Sequence, residues 1–158
     1  MDLSDLYKSM SLKAKEIQKA WKPEIGDYIW RKYTIFGDEI DKKFWNNDKL
    51  FEVNILHYKS DVEGFYHATT PDGDQRLFKS DDEMYKKTTI LLPRQDQLQG
   101  MLVMQPVEII KYLFQVVIYG YEDYYKQFET TEQILLASVM KEKYNKFWNK
   151  EKEKWEKK

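Results

Sequence analysis

Apolar residues recur at helical spacing near the start of the chain. Ala14, Ile17 and Trp21 are three and four positions apart, which predicts a helix within residues 2–21. Pro23 disfavours helical geometry at the residue before it, so the pattern predicts that this helix ends there.

An alternating pattern, typical of strands, follows this helix. Aromatic and β-branched side chains are frequent in it, and they favour strands. The predicted strands are 26–33, 51–59, 65–70, 75–79 and 88–92. The sequence PDGD at 71–74 favours a tight hairpin, because Asp and Gly tolerate left-handed dihedral angles. Residues 34–50 mix aromatic rings with charges and are expected to be irregular. The pattern predicts a small antiparallel β-meander in the N-terminal half.

The second half of the chain is expected to be helical. Pro106 suits a first helical position, which needs no backbone N–H. Residues 106–119 are almost wholly apolar, but Glu108, Lys111 and Gln115 are spaced by three and four. That spacing puts the polar residues on one stripe of a helix, whereas a strand would space them by two. Gly120 is the expected end of this helix.

A last helix is predicted to start at Thr130, which forms a capping-box pattern with Gln133. The stripe expected on this helix consists of Leu136, Met140, Tyr144 and Phe147. The helix is expected to run on into the Lys/Glu-rich end of the chain. The sequence therefore predicts one α+β domain, 1–148, with the meander packed against C-terminal helices, and a charged helical extension, 149–158.

The composition excludes several classes of protein. The chain has 158 residues, the size of one ordinary domain, and no cysteine, which excludes disulfides, zinc fingers, iron–sulfur clusters and thiol catalysis. The net charge of −1 does not favour nucleic-acid binding by the whole chain. No apolar stretch reaches the roughly 18 residues that a membrane helix needs. The first ten residues, MDLSDLYKSM, are too charged for a signal peptide. We expect a cytoplasmic protein without a membrane segment.

No enzyme motif is present in the sequence. The patterns GxSxG, HExxH and the phosphate-binding loop are all missing, and nothing indicates a cofactor. We therefore expect a protein that is not an enzyme.

The two histidines, His57 and His67, offer a weak metal site. If residues 60–64 form a five-residue loop, residues whose numbers sum to 124 face each other, and the two histidines are paired across the strands. Paired histidines with a carboxylate bind divalent metals. A one-residue slip in register would separate the two rings, and two partly buried rings without metal are the favoured interpretation.

The C-terminal segment is basic. Residues 141–158 contain eight Lys and four Glu, and Trp148 and Trp155 are seven positions apart, which puts them on one face of a continued helix. Such a helix can contact nucleic acid or an acidic partner. Mixed Lys/Glu runs more often form a solvated surface, with the tryptophans against the core or a second subunit.

The stretch LLPRQDQLQG, 91–100, joins the two halves of the chain. Pro93 is expected at the first position of a helix, and Leu98 on its buried side. This leaves Arg94 and Gln97 without a structural role, so they are candidates for a polar contact with a ligand or partner.

Three motifs resemble a family of small phage and prophage proteins of Firmicutes: WKPEIGD (21–27), LLPRQDQLQGML (91–102) and EQILLASVMKEKYNKFW (132–148). The resemblance covers most of the chain, with a poor match between 34 and 86. It implies a viral gene expressed in the cytoplasm of a bacterial host. It supplies no activity and no catalytic residue.

The expected function is that of a non-catalytic phage accessory protein that binds a host or phage macromolecule. Aromatic residues make up 16% of the chain, and such side chains are enriched at contact surfaces. The alternative is a protein that binds or sequesters a small, nucleotide-like ligand, because aromatic rings stack on bases. A weaker alternative is nucleic-acid binding through the basic C-terminal helix. The aromatic excess also predicts a homo-oligomer, with the last helix as its interface.

Overall fold

The computed structural model describes residues 1–22, 24–32, 51–59, 65–69, 75–79, 89–117 and 123–157. Of these, only the backbone is described for 31–32, 51–59, 65–69, 75–79 and 117. The predicted α+β class is confirmed. The chain divides into two compact units: residues 20–92, here called the sheet unit, and residues 1–19 with 93–158, the helical unit.

The sheet unit contains a five-stranded antiparallel sheet in the order β4–β3–β2–β1–β5. Its strands are β1 Tyr28–Lys32, β2 Phe51–Lys59, β3 Phe65–Thr69, β4 Gln75–Lys79 and β5 Thr89–Leu92. All five predicted strands are present, and β1 to β4 form the predicted meander. β5 pairs with the second edge of β1, so that Tyr28 faces Leu92 on one side and Ile55 on the other. The predictions for 34–50, 71–74 and Gly120 lie outside the described residues.

A buried carboxylate fixes the turn before β1. Asp27 is fully buried, and its Oδ2 accepts hydrogen bonds from Trp21 Nε1 at 2.8 Å and from the Glu24 backbone N–H at 2.9 Å. Gly26 has a φ of 89°, which glycine adopts without strain. The Trp, Gly and Asp of WKPEIGD thus have a structural role, as parts of a hydrogen-bonded turn.

The helical unit is built around its last helix. The helices of the chain are α1 Asp5–Lys13, α2 Lys15–Ala20, α3 Gln95–Met101, α4 Pro106–Val117 and α5 Thr131–Tyr144, with a 3-10 helix at Asp123–Gln127. Residues 135–140 of α5 are all buried, so this part of the helix is covered on every side. α1, α3 and a short strand that follows α5 pack against it.

Hydroxyl caps start both α1 and α5. Ser4 Oγ accepts from the Tyr7 N–H, and Thr130 Oγ1 accepts from the Gln133 N–H, each at 3.2 Å. The second contact is the Thr130–Gln133 cap that the sequence predicts. The single helix predicted within 2–21 is two helices, which meet at Ala14.

The predicted helical extension is wrong, because α5 ends at Tyr144. Asn145 has φ 53° and ψ 46°, the left-handed conformation that stops a helix, and its N–H donates to the carbonyl oxygens of the last turn. The chain then forms a hairpin of β6 Lys146–Asn149 and β7 Lys154–Lys157. Phe147 therefore lies on a strand and not on the predicted helical stripe. Residues 149–158 belong to the helical unit and are not a separate extension.

An oligomer interface on the last helix stays a prediction. Residues 135–140 of α5 are buried within the chain, and the exposed positions 142 and 143 lie in the last turn of the helix. None of the helices in the described ranges is long and apolar enough to cross a membrane.

Candidate functional site

α4 begins with a well-formed cap. Pro106 is its first residue, as the sequence predicts, and the backbone N–H of Gln105 donates to Glu108 Oε2 at 2.8 Å. Glu108 also places a negative charge in the first turn, where the helix dipole favours it. These contacts fix where α4 starts and therefore which of its side chains face the protein.

The inward side of α4 is narrow. Ile109 is 5% exposed, and the Tyr112 hydroxyl lies 2.9 Å from the hydroxyl of Tyr125 in the 3-10 helix. Burial raises the pKa of Tyr125 well above its usual range, so this hydroxyl stays neutral and serves as a hydrogen-bonding group. The tyrosine pair attaches one side of α4 to the helical unit and leaves the opposite side outward.

The outward side of α4 carries large apolar residues. Val107 is 58% exposed, Ile110 67% and Phe114 51%. The three are spaced by three and four, so they form one stripe along the helix, here called the α4 stripe. Residues 108, 111 and 115 are exposed too, as the polar pattern predicts, and they lie beside the stripe. The helix therefore presents an apolar ridge with a polar border to its surroundings.

Val103, which precedes α4 in the sequence, is a further exposed apolar residue. It lies in the turn that leads into α4, four positions before Val107, and it is 88% exposed. Its φ is 53°, a conformation that strains a β-branched residue. Gly or Asn would fill this position with less strain and without exposing an apolar side chain. Strained backbone is concentrated at binding and catalytic sites, where selection for function outweighs the loss of stability.

The polar residues predicted as a contact, Arg94 and Gln97, form the start of α3. Arg94 is the N-cap, so the helix begins two residues after Pro93 and not at the predicted proline. The Arg94 N–H donates to Gln97 Oε1 at 2.9 Å. The Arg94 guanidinium donates to both carboxylate oxygens of Asp96, which holds the pKa of that carboxyl below its usual value. Both side chains thus have a structural role, and a role in binding stays a prediction.

The tryptophans predicted as a contact, Trp148 and Trp155, are buried. They face each other across the β6–β7 hairpin with ring centroids 5.1 Å apart, and they are 3% and 9% exposed. The two tryptophans lie on one face, as predicted, but this face belongs to a hairpin and not to the predicted helix. Rings buried in this way cannot stack on the bases of a nucleic acid.

The predicted histidine pairing is wrong by one residue. Ile55 faces Thr69 and Leu56 faces Ala68, as the predicted register requires. An irregularity then shifts the register, and Tyr58, not His57, faces His67. The side chains of both histidines lie outside the described residues, so metal binding stays a prediction without the paired geometry that motivated it. Among the side chains that are described, no cluster of three metal-binding groups is present.

A cleft of about 570 Å³ lies near the start of α1. This volume is within the range of small-molecule sites. Among the described residues, its lining includes the carboxylates of Asp5, Glu129 and Glu153 with one cation, Lys150, and no aromatic ring. Three carboxylates repel the phosphates of a nucleotide, and none of the described lining residues can stack on a base. The cleft therefore does not favour the predicted nucleotide-like ligand.

The α4 stripe was missed because the sequence analysis used the apolar residues of 106–119 only to assign a helix. The signal was nevertheless present. A surface helix buries one apolar face, and a segment that is apolar nearly all round has more than one such face to cover. No protein-family model matches the chain, and no curated protein or solved structure matches it significantly.

Proposed function

We propose that this chain is a non-catalytic protein-binding protein whose contact surface is the α4 stripe together with Val103. One observation carries the proposal: four large apolar side chains in 12 consecutive residues are each more than half exposed. At typical side-chain areas they present about 400 Å² of apolar surface, as much as the largest apolar patch of an ordinary monomer. Patches of this size with a polar rim mark interaction sites.

The chemistry of the surface favours a protein over the other partners considered. Valine, isoleucine and phenylalanine side chains gain from contact with another apolar surface, whereas nucleic-acid backbones require a dense set of cations. Beside the stripe, α4 carries one lysine, Lys111, and one glutamate, Glu108. The two tryptophans of the C-terminal hairpin are buried and cannot stack on bases either.

A phage accessory protein that occupies the surface of a host or phage protein is the biological setting that we propose. The motifs around positions 21–27, 91–102 and 132–148 support this setting by resemblance. The host cytoplasm is the proposed location. An enzyme is not proposed, because the sequence carries none of the patterns GxSxG, HExxH or the phosphate-binding loop.

The proposal is tested by placing a photo-activatable amino acid at position 110 and irradiating cells that express the protein. Ile110 is at the middle of the stripe, so we expect a covalent adduct with a protein. The matched control places the same group at position 143, an exposed residue of α5, and is expected to give no adduct. Equal yields of adduct from both positions, or none from position 110, would contradict the proposed contact surface.

We expect Val103→Gly to stabilise the protein while weakening its binding. Glycine removes the strain at φ 53°, and we expect the free energy of unfolding to rise by about 1 kcal/mol. The same change removes an exposed apolar side chain from the contact surface, so the adduct formed from position 110 is expected to decrease.

Chemical denaturation and crosslinking yield are measured on the same variant. The control is Val107→Ala, which lies on a regular helix and relieves no strain, so only its crosslinking is expected to fall. A Val103→Gly protein that is no more stable than the wild type would contradict the role of the backbone strain.

A further inference from the structure

We infer that the partner that fits the α4 stripe is a second copy of this chain, packed antiparallel through α4 about a two-fold axis. This inference rests on the proposed function, because it uses the same contact surface. It places self-association on α4 and not on the last helix, of which residues 135–140 are buried.

The spacing of the apolar residues is self-complementary. In an antiparallel pair of helices, residues of one copy face residues of the other whose numbers have a constant sum. With a sum of 217, Val107 faces Ile110 of the second copy, and Ile110 faces its Val107. The same alignment brings Phe114 opposite the turn that carries Val103 of the second copy. The three residues of the α4 stripe are then all used at once, and Phe114 extends past the start of the second helix at Pro106.

The charges beside the stripe fit the same arrangement. Glu108 and Lys111 are both exposed, and both lie on the same side of the α4 stripe, three positions apart. An antiparallel two-fold pair places like sides of the two helices together, so Glu108 of each copy comes close to Lys111 of the other. In a parallel pair, the side of α4 with Glu108 and Lys111 would face the other side of the second helix, where Leu113 carries no charge. The charges therefore select the antiparallel arrangement.

The area of the surface sets the strength of the contact. Two copies of the patch remove about 800 Å² from water, and the bordering side chains raise this to about 1,000 Å², the lower limit of specific interfaces. We therefore expect a reversible dimer with a dissociation constant of about 1 to 100 µM. The protein is then monomeric in dilute solution and dimeric at higher concentration.

Sedimentation velocity of the purified full chain, from about 1 µM to about 1 mM, tests the inference. The wild type is expected to shift from 19.2 kDa to twice that mass. Ile110→Glu, which places a charge in the middle of the contact, is expected to weaken the dimer by at least about tenfold. A wild type that stays monomeric throughout would overturn the inference.

Charge reversal tests the antiparallel arrangement. Glu108→Lys and Lys111→Glu alone each bring two like charges together and are expected to weaken the dimer by about tenfold. In a mixed pair, the two lysines of the Glu108→Lys variant face the two glutamates of the Lys111→Glu variant, so mixing the two variants is expected to restore dimers, most of them mixed pairs. Failure of the mixture to dimerise, while the wild type does so, would overturn the arrangement.

Crosslinking from position 110 separates this inference from the proposed function. Adducts of two copies of the chain support both. A monomeric wild type whose position 110 reacts only with a different protein overturns the dimer and leaves the contact surface standing. Absence of any adduct in cells and of any dimer in solution overturns both proposals.

Discussion

Replacing Trp155 by alanine is expected to lower the free energy of unfolding by about 3 kcal/mol. The ring is 9% exposed and packs edge-on against Trp148. Its Nε1 donates to the carbonyl oxygen of Met10 at 3.0 Å, which joins the last strand of the chain to α1. Truncation removes a large buried apolar area together with this hydrogen bond, while the Met10 carbonyl oxygen keeps its bond from the Ala14 N–H at 3.0 Å. Urea denaturation followed by circular dichroism measures the loss.

The matched control for Trp155 is Glu151→Ala. This residue lies in the turn of the same hairpin and is exposed, so its replacement is expected to change the free energy of unfolding by less than about 0.5 kcal/mol. If the Trp155→Ala protein does not fold, Trp155→Phe keeps most of the packing and is expected to lose about 1 to 2 kcal/mol. A loss from Trp155→Ala as small as that of the control would show that the hairpin is not part of the core.

The hairpin is the element that the sequence analysis failed to predict. Lysine and glutamate are good helix formers, and no Gly or Pro interrupts residues 141–158, so helix propensity favours a continuous helix. Two asparagines favour the hairpin instead. Asn145 adopts the left-handed conformation, and Asn149 Oδ1 accepts from the Lys152 N–H at 3.0 Å to shape the turn. Once the turn has formed, the Trp148–Trp155 pair and its burial outweigh local propensity.

The strands were predicted more accurately because side-chain alternation is a local property. Burial on one face requires a period of two, which 51–59 shows, whereas 89–92 is a short run that is buried at all four positions. The irregularity between Leu56 and Tyr58 could not be predicted in this way, because a single extra residue in one strand leaves no mark on the alternating pattern. This explains why the register is right at Ile55 and wrong at His57.

The candidate site was predicted least well, for a physical reason. Polar residues such as Arg94 and Gln97 attract functional hypotheses, but in this chain they are used to start a helix. The α4 stripe consists of residues that a sequence pattern assigns to the core. Whether an apolar face of a helix is covered depends on tertiary packing, and only the structure shows that Val107, Ile110 and Phe114 are not buried.

We expect Asp2→Ala to lower the free energy of unfolding by about 2 to 3 kcal/mol at neutral pH. Asp2 is 8% exposed and connects the starts of α1 and α5. Its Oδ2 accepts from Thr130 Oγ1 at 2.6 Å and from Gln133 Nε2 at 2.8 Å, while Oδ1 accepts from the Ser4 N–H at 2.8 Å. Removal of the carboxylate deprives three donors of this acceptor, and two of these donors belong to the N-cap residues of α1 and α5, Ser4 and Thr130.

The effect of Asp2→Ala is expected to fade in acid. Burial alone would raise the pKa of Asp2, but the hydrogen bonds from Thr130, Ser4 and Gln133 outweigh it and hold this pKa below the usual value. An unfolded Asp titrates near pH 3.9, so the carboxylate contributes its full stability above about pH 5. That contribution is lost as the pH falls through the lowered pKa of the folded state. The wild type and Asp2→Ala are therefore expected to converge towards about pH 2.

The matched control for Asp2 is Asp5→Ala. Asp5 lies one turn further along, and its fully exposed carboxylate contacts only Lys8, at 3.5 Å, among the described residues. Exposed pairs of this kind contribute at most about 1 kcal/mol, so the loss at neutral pH is expected to be much smaller than for Asp2. If the difference in the free energy of unfolding between the wild type and Asp2→Ala stays unchanged at low pH, then packing around the side chain, and not its charge, joins the two helix starts.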